Sequence, residues 1–408
     1  MPELDTAFVR AQFPAFDAEP LRSWAHFENA GGSYTAGQVI ARLTRFYTSR
    51  KIQPYGPAAP TAAGGAEMDS ARARLAALLN VGADELSFGP STTQNTYVLA
   101  QAFRRALSPG DAIIVTDQDH EANTGPWRRL AESGIEVRVW PVEPETGMLD
   151  RADLLARLDE RVRVVAFPHC SNILGIMNPV ADWVADVHAA GAVACVDGVS
   201  AAPHGLPDVA ALGADIYLFS SYKTFGPHQG VMVIRRALAD RLPNQGHDFN
   251  AADPVKRFTP AGPDHAQVAA SAGMADYLDA LDTHHFADAA PPAERARRVA
   301  ALQRTAEQAR LAPLLDYLRG RNDIRLLGPT DGAAKVATVA LAHDRPGGAL
   351  AEDLAARGIV AGGGSFYANR LIRALGIDPD HGVLRISFLH YTSRDEVDAL
   401  IKSLDAVL

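Results

Sequence analysis

The chain alternates short apolar runs with longer amphipathic stretches between about residues 67 and 241. Apolar runs typical of buried strands cover residues 111–116, 136–140, 162–167, 192–196 and 215–219. Stretches with helical spacing of apolar positions cover residues 67–79, 92–107 and 179–190. Apolar strands that alternate with helices predict an α/β architecture, in which helices cover both faces of a large, mostly parallel sheet.

The pattern changes after about residue 246. Helical stretches at 266–281, 291–319, 348–357 and 394–404 now surround apolar runs at 324–327, 336–341 and 383–388. The stretch 291–319 is consistent with one long helix or two. Before a helix at 38–49 no strong pattern is visible. We therefore expect an N-terminal segment (1–35) that packs on the small domain, a large domain (36–285) and a small α+β domain (286–408).

Composition and charge narrow the class of protein. Of the 408 residues, 47% are hydrophobic and 21% are charged, which is ordinary for a globular protein. The net charge of -9 is spread along the chain, so nothing resembles a nucleic-acid-binding surface. Without a leader-like start or a long apolar span, we expect a cytoplasmic protein with no membrane contact. Cys170 and Cys195 lie in apolar runs, and no cysteine–histidine spacing suggests a metal site.

Polar clusters follow four of the predicted strands. They are Asp119-His120-Glu121, Ser171-Asn172, Asp197-Gly198 and Ser220-Ser221-Tyr222-Lys223. The carboxyl ends of parallel strands meet at one edge of a sheet, and ligands bind there. We therefore expect the four clusters to converge on one crevice.

Lys223 is the strongest candidate for chemistry. Most lysines are exposed, but this one lies among aromatic and small hydroxyl residues just before a Gly-Pro turn. A half-buried lysine tends toward a lowered pKa, and only the neutral amine attacks a carbonyl group. Asp197 ends the apolar run 192–196, one strand–helix–strand step earlier. It is either a capping or turn residue or, with Lys223, the carboxylate that keeps a pyridine nitrogen protonated.

Residues 91–94, His120 and Asn172 are further candidates for the same site. The hydroxyls and backbone amides of residues 91–94 precede an apolar helix and form either a plain helix cap or, with Ser220, an anion site. His120 is either structural or a flat ring that stacks on a cofactor and moves protons. Asn172 is either a turn residue or a hydrogen-bond donor to a cofactor.

Three motifs together resemble a known family. They are His169-Cys170-Ser171-Asn172-Ile173-Leu174-Gly175, Val196-Asp197-Gly198 and Ser220-Ser221-Tyr222-Lys223-Thr224-Phe225-Gly226-Pro227. In combination they resemble the class V aminotransferases, especially the branch of cysteine desulfurases, selenocysteine lyases and isopenicillin-N-epimerase-like proteins. The resemblance implies fold-type I, with a mostly parallel sheet of the seven-stranded type and a smaller α+β C-terminal domain. It also implies a pyridoxal 5'-phosphate cofactor, a small amino-acid substrate and a homodimer.

The resemblance implies a role for each matching residue. Lys223 forms the internal aldimine, a Schiff base with the cofactor; Asp197 pairs with the ring nitrogen, His120 stacks on the ring and Asn172 contacts the phenolic oxygen. The implied phosphate ligands are Thr92, Thr93, Ser220 and Tyr222, and Ser200 stands where relatives have a ring-contacting glutamine. Arg385 matches the arginine that binds the substrate α-carboxylate, which suits a guanidinium because it donates two parallel hydrogen bonds. The expected catalytic residues are Lys223, His120 and Asp197.

Two departures from the family pattern bear on the reaction. Desulfurases carry a nucleophilic cysteine on a small-domain loop, but the matching stretch 361–368 has none, and Cys170 and Cys195 lie elsewhere. Where relatives often have a threonine that reaches the neighbouring subunit's phosphate, this chain has Gly262. We therefore expect a desulfurase-like lyase that performs C–S cleavage or a related β-elimination. A class V aminotransferase or an amino-acid epimerase is the alternative.

Two other classes of protein fit part of the pattern. A cofactor-binding protein without activity could lack Lys223 or Arg385, yet both are present. A nicotinamide-dependent dehydrogenase would need a Gly-x-Gly-x-x-Gly turn after the first strand. The glycines at 362–364 lie in the predicted small domain and lack that spacing. The pattern therefore favours a pyridoxal-phosphate enzyme.

Overall fold

A computed structural model describes residues 2–408. In chain order its strands are β1 (Ala25–His26), β2 (Leu86–Gly89), β3 (Ala112–Thr116), β4 (Glu136–Trp140), β5 (Val162–Pro168), β6 (Val193–Asp197), β7 (Ile216–Ser220), β8 (Gly230–Ile234), β9 (Arg325–Leu327), β10 (Thr338–Ala342), β11 (Ile359–Val360), β12 (Gly362–Gly364) and β13 (Val383–Ser387). The α-helices are α1 (Thr6–Ala11), α2 (Gly37–Ser49), α3 (Ala59–Leu78), α4 (Thr92–Ala106), α5 (Glu121–Arg128), α6 (Arg151–Leu155), α7 (Val180–Ala189), α8 (Val209–Leu212), α9 (Arg236–Ala239), α10 (His265–Ala270), α11 (Ala272–His285), α12 (Pro292–Arg319), α13 (Gly347–Ala355), α14 (Asn369–Ala374) and α15 (Arg394–Val407).

The large sheet has seven strands in the order β2-β8-β7-β6-β5-β3-β4. The strands from β7 to β4 in this order are parallel to one another and match the predicted apolar runs. The pattern does not predict β2 and β8. Strand β2 has only four residues, too few to show a periodic pattern of apolar positions. Strand β8 is antiparallel to both of its neighbours. These two strands extend the parallel sheet on the side next to the Lys223 turn.

Both faces of this sheet are covered, as the uniformly apolar strands predict. Neighbouring residues of β3, such as Ile113 and Ile114, point to opposite faces and belong to different hydrophobic clusters. Successive side chains of a strand alternate between faces, so a strand that is buried throughout must have a core on each side. The site must therefore lie at an edge of the sheet, where the strands end.

The small domain contains a four-stranded antiparallel sheet in the order β12-β13-β10-β9. Helix α12 is a single helix, so the alternative of two helices over 291–319 is wrong. The helical stretch predicted over 266–281 is divided into α10 and α11, which meet at Ser271. The Ser271 hydroxyl donates to the side chain of Gln229 and to the carbonyl of Gln267, both at 3.0 Å.

The glycines at 362–364 form a strand and not an open loop. They make up β12, and Gly362 pairs with Arg385 of β13. A Cβ atom at Gly363 would lie 2.2 Å from the carbonyl oxygen of Gly347 at the start of α13. Only glycine lets this strand approach the helix so closely, which explains why the strand lacks any apolar pattern.

The N-terminal segment contacts both parts of the chain. Strand β1 pairs in parallel with β11, and Glu28 forms an isolated bridge with Ser387. Phe13 is fully buried, with its ring 5.8 Å from that of Phe225 and 4.9 Å from that of Tyr391. The segment thus joins the small-domain sheet to the turn that follows Lys223, while the domain division at residues 36 and 286 stays a prediction.

Over residues 2–408, no helix combines the length and the apolar character that a membrane crossing requires.

Replacing Phe13 with alanine should destabilise the protein by about 3 kcal/mol or more, because it leaves a cavity between four aromatic rings, those of Phe16, Phe225, Tyr277 and Tyr391. A urea titration of the variant beside the wild type measures the loss. Phe249→Ala is the control, because Phe249 is 84% exposed and its removal should change stability by about 0.5 kcal/mol at most. Equal losses in the two variants would contradict a structural role of the N-terminal segment.

Candidate active site

A cavity of about 530 Å³ lies where β5, β6 and β7 end. All four polar clusters contribute to its wall. The predicted site residues that line it are Thr92, Thr93, His120, Asn172, Asp197, Ser200, Ser220, Tyr222 and Lys223. The structure thus brings together every predicted cofactor-binding residue, although their individual roles stay predictions. Arg385 does not line this cavity but a neighbouring one.

Lys223 closes a 3-10 turn that directly follows β7. The backbone amide of Gly226 donates to the carbonyl of Ser221 at 2.8 Å, and the Ser221 hydroxyl donates to the carbonyl of Pro227 at 2.6 Å. A Cβ atom at position 226 would lie 2.6 Å from the sulfur of Met274, so the turn has room only for glycine. The turn holds the lysine backbone in one place at the end of the strand.

The Lys223 side chain is buried. Burial, with a smaller contribution from the charge of Arg385, lowers the pKa of Lys223 to about 8, while Asp197 and Glu28 oppose this shift. A water-exposed lysine is almost entirely charged near neutral pH. At this position a useful fraction of the amine is neutral and able to act as a nucleophile or a base.

Asp197 ends β6 and is buried. Its Oδ1 accepts a hydrogen bond from the backbone amide of Val199 at 2.8 Å, which orients the carboxylate. Burial raises the pKa of Asp197 to about 6, although the Val199 bond and the charge of Lys223 lower it. Asp197 has no ion-pair partner among residues 2–408. Such a carboxylate suits a ligand that brings a positive charge.

The first turn of α4 forms one end of the cavity. Thr92 and Thr93 follow the capping residue Ser91, so their backbone amides have no partner within the helix. The hydroxyls of Thr92 and Ser220 are 2.8 Å apart, which connects the helix to the end of β7. A Cβ atom at Gly230 of β8 would lie 2.4 Å from the backbone of Ser91, so a glycine permits this close approach. Hydroxyls, free amides and the helix dipole together suit a phosphate group.

Tyr222 and Ser200 also line the cavity. The ring of Tyr222 stacks on that of His228, with centroids 4.6 Å apart. Ser200 lies in the loop that follows Asp197. Both are therefore positioned to contact a ligand that extends from Asp197 to the start of α4.

His120 is the N-cap residue of α5, and its Nδ1 accepts a hydrogen bond from the backbone amide of Ala122 at 3.0 Å. With Nδ1 as the acceptor, the neutral ring carries its proton on Nε2. Burial lowers the pKa of His120 to about 3, with smaller contributions from the charges of Lys223 and Arg385. The ring is thus neutral near pH 7 and suits stacking better than proton transfer.

Asn172 connects the cavity to the small domain. Its side-chain Nδ2 donates to the carbonyl of Phe366 at 3.0 Å, and its backbone carbonyl accepts a hydrogen bond from Arg385 Nη1 at 3.0 Å. The Oδ1 atom is buried without a partner among the described residues. One of the two Nδ2 hydrogens binds the Phe366 carbonyl of the small domain. The other hydrogen is left for the expected contact to a cofactor.

A second cavity of about 1210 Å³ opens beside the first. The two cavities share walls formed by Thr93, His120, Ala122, Asn172, Tyr222 and Lys223. Arg385 of β13 lies in the second cavity, with its Nη2 2.6 Å from Oε1 of Glu28. A ligand in this space would therefore reach both the lysine amine and a guanidinium.

The stretch after β12 covers the second cavity. The Phe366 ring lies 3.8 Å from the Arg385 guanidinium carbon, and the carbonyl of Tyr367 accepts a bond from the Glu121 amide at 2.8 Å. Arg370 also forms an ion pair with Glu121. Phe366 and Tyr367 both have left-handed φ values, 52° and 57°. The strained turn is therefore fixed to the large domain at the mouth of the cavity.

Sequence reasoning missed Glu28 as a site residue. The first 35 residues carry no periodic pattern, so no predicted element placed Glu28 near the strand ends. One local signal existed, because Glu28 precedes the small residues Ala30, Gly31 and Gly32, which allow close backbone approach.

The chain is similar to known proteins over nearly its whole length. The sequence profile of the family described as aminotransferase class-V matches residues 25–400. An aminotransferase-like protein from Gibberella zeae is 32% identical over 413 residues, which cover 98% of each chain. A cysteine desulfurase from Serratia proteamaculans is 30% identical over 421 residues, which cover 98% of this chain and 97% of the relative.

Solved structures share the fold. The crystal structure of the cysteine desulfurase CsdA from Escherichia coli has a TM-score of 0.81 and 25% identity, and the match covers 99% of this chain and 98% of the other. The apo structure of a cysteine desulfurase from Thermococcus onnurineus has a TM-score of 0.86 and 21% identity, and covers 100% of this chain and 99% of the other. The large and small sheets therefore belong to one known architecture.

Chemical labelling of Lys223 should follow the neutral fraction of its amine. In protein freed of bound small molecules, we expect reductive methylation of Lys223 to rise with pH and to reach its midpoint near pH 8. Because Asp197 raises the pKa of Lys223, Asp197→Asn should move the midpoint to lower pH. Mass spectrometry of the Lys223 peptide measures the yield, with the exposed Lys402 as an internal reference. A Lys223 profile that coincides with that of Lys402 would contradict this prediction.

Proposed function

The chain belongs to the class V aminotransferase family, and from this premise we propose that it catalyses a lyase reaction on an amino acid, by C–S cleavage or a related β-elimination. Members of the family use pyridoxal 5'-phosphate, so the protein is a pyridoxal-phosphate-dependent enzyme. Its α/β fold is that of the cysteine desulfurases. The observation that carries the proposal is that the buried amine of Lys223 and the buried carboxylate of Asp197 line one cavity.

The residues of this cavity fit pyridoxal phosphate. Hydroxyls and free amides at the start of α4 suit the phosphate, and the unpaired carboxylate of Asp197 suits a protonated ring nitrogen. Lys223 offers an amine with a lowered pKa. The neutral ring of His120 offers a flat surface for stacking. No residue in the wall requires a different cofactor.

Lys223 would hold the cofactor through its Nζ atom, and Asp197 would hold a proton at the ring nitrogen by its negative charge. When bound, pyridoxal phosphate draws electrons away from the substrate α-carbon. The Val199 amide keeps the Asp197 carboxylate in position, and burial strengthens its attraction for a cation. Thr92, Thr93, Ser220 and Tyr222 would bind the phosphate, with Asn172 and Ser200 at the ring.

Lys223 moves the substrate α-proton in this proposal. With a pKa near 8, its amine accepts and returns a proton near neutral pH. His120 has a pKa near 3 and its Nδ1 is occupied by the Ala122 amide, so it acts mainly as a stacking surface. Both side chains also line the second cavity, where the α-carbon would lie.

Arg385 would bind the substrate α-carboxylate. Its side chain is 3% exposed, and its Nε is buried without a partner among residues 2–408. An unpaired buried donor favours a ligand that accepts from it. Binding of the carboxylate at Arg385 would fix the substrate relative to Lys223 and so choose the bond that is cleaved.

The two cysteines support a lyase over a persulfide-forming desulfurase. Cys170 and Cys195 are both buried, and burial raises the pKa of each thiol. A thiol that does not ionise is a poor nucleophile. The stretch that covers the substrate cavity presents Phe366 and Tyr367 instead. Class V transamination or epimerisation remains the alternative, because the 32% identical relative is aminotransferase-like.

Assembly as a homodimer is part of the proposal. An apolar groove of about 1340 Å³ lies beside the start of α4, with walls formed by Phe88, Tyr97, Phe258 and Pro263. Gly262 also lines it, and a Cβ atom there would meet nothing within 4 Å. A second subunit on this face would lie next to the phosphate end of the site.

Lys223→Ala should abolish the covalent link to the cofactor. We expect the purified wild type to absorb visible light and to give a borohydride-reduced adduct at Lys223, and the variant to give no adduct. Lys335→Met is a matched control, because Lys335 is also buried with a pKa lowered to about 8 but lies outside the cavity. Mass spectrometry after reduction detects the adduct. An adduct that survives in Lys223→Ala would refute the assignment.

The reaction class can be tested with L-cysteine and other β-substituted amino acids. We expect sulfide or another leaving group together with pyruvate and ammonia, without any amino acceptor. Iodoacetamide treatment of the native protein should leave this activity intact, because both thiols are buried. Keto acid formed only with an amino acceptor would indicate a transferase, and inverted substrate would indicate an epimerase. Inactivation that parallels alkylation of either cysteine would contradict the thiol-free lyase.

A further inference from the structure

The arginine that faces the substrate cavity is already paired within the chain. Arg385 Nη2 donates to Oε1 of Glu28 at 2.6 Å, and Nη1 donates to the carbonyl of Asn172 at 3.0 Å. A guanidinium can donate two parallel bonds from the Nη1–Nη2 edge or from the Nε–Nη2 edge. Nη2 belongs to both edges and carries one hydrogen on each, so a bidentate carboxylate ligand either displaces Glu28 from this nitrogen or binds beside its negative charge. In both cases Glu28 competes with the ligand.

Two glycines leave room for the carboxylate of Glu28. A Cβ atom at Gly31 would lie 2.9 Å from Oε1, and one at Gly362 would lie 2.5 Å from Oε2. A side chain at either position would displace the carboxylate from Arg385. Oε2 is buried and has no hydrogen-bond partner among the described residues. The carboxylate is therefore held mainly by Arg385, and its unpaired oxygen makes it a replaceable partner.

The backbone around Glu28 is fixed. The amide of Phe27 donates to the carbonyl of Val360 at 2.7 Å, and that of Asn29 donates to the carbonyl of Ser387 at 3.2 Å. A Glu28 side chain that leaves its arginine can therefore turn only about its own bonds. Its carboxylate then remains in the wall of the 1210 Å³ cavity that Glu28 lines.

We propose that Glu28 is a specificity-determining residue: it takes the place of a ligand carboxylate on Arg385 and, once displaced, leaves its negative charge in the wall of the substrate cavity. The inference rests on the proposed function, because it takes Arg385 as the site of the substrate α-carboxylate. Glu28 then selects amino acids with a neutral or cationic side chain. A substrate with a second carboxylate is repelled, because like charges in a confined site are costly.

Three carboxylates without a primary amine test the proposal: butanoate, glutarate and 4-guanidinobutanoate. Their far ends are neutral, anionic and cationic, and none can react with the cofactor. Isothermal titration of the holoenzyme measures their affinities for the wild type and Glu28→Gln. The wild type should bind 4-guanidinobutanoate best and glutarate worst. Glu28→Gln should bind butanoate and glutarate about tenfold more tightly or better, with glutarate gaining most.

Glu28→Asp is the matched variant and keeps the test valid if Glu28→Gln does not fold. It keeps the charge but is one methylene shorter, so it cannot maintain the 2.6 Å contact to Arg385. Butanoate should therefore bind it more tightly than it binds the wild type, while discrimination against glutarate persists. Loss of that discrimination would contradict the proposal.

The role of Glu28 is overturned if the ratio of glutarate to butanoate affinity is the same in Glu28→Gln as in the wild type. It is also overturned if none of the three probes binds to either of these two proteins. Weaker binding of all three to Glu28→Gln would also overturn it, because Glu28 would then only position Arg385. The Arg385→Ala variant distinguishes failure of the proposed carboxylate site from failure of the proposed role of Glu28. Wild-type affinities in that variant would remove the carboxylate site from the proposed function itself. Loss of all three probes there, with an unchanged Glu28→Gln ratio, rejects the inference about Glu28 alone.

Discussion

The rest of the site depends on the burial of one amine and one carboxylate in the same cavity. Lys223 and Asp197 are both removed from water, which lowers the pKa of the amine and raises that of the carboxylate. Each shift favours the neutral form of the group relative to the same group on the surface. Asp197 ends β6, and Lys223 lies in the turn after the neighbouring parallel strand β7, so the register of the sheet sets how far apart they lie. A slip of one residue would turn either side chain to the opposite face.

The small domain supplies the guanidinium group that the edge of the large sheet lacks. Arg385 reaches the second cavity from β13, and its contact with the carbonyl of Asn172 ties the two domains together at the site. Phe366 packs on the guanidinium, and the turn that carries it is fixed to the start of α5. In the proposed function, substrate orientation would therefore depend on the relative position of the two domains, whereas the cavity at the strand ends is lined by residues 91–223 alone.

A common electrostatic principle links the two cavities. In each cavity a buried cationic side chain has a carboxylate nearby that comes from a different segment: Asp197 for Lys223 and Glu28 for Arg385. A buried cation is tolerated only near an opposite charge or a hydrogen-bond acceptor. A charged ligand can bind there by exchanging partners, and what it must replace determines which ligands bind.

The sequence alone determined the parallel sheet, because its inner strands are buried on both faces and appear as largely apolar runs. It also indicated the polar clusters at the strand ends, since the carboxyl ends of parallel strands must meet. Tertiary structure alone decided the rest. Strand β12 consists of three glycines, of which Gly363 lies against Gly347 and Gly362 against Glu28, and Glu28 pairs with Arg385 across 357 residues of chain. Such contacts leave no periodic trace, because they depend on the distance between folded segments and not on the spacing of residues along the chain.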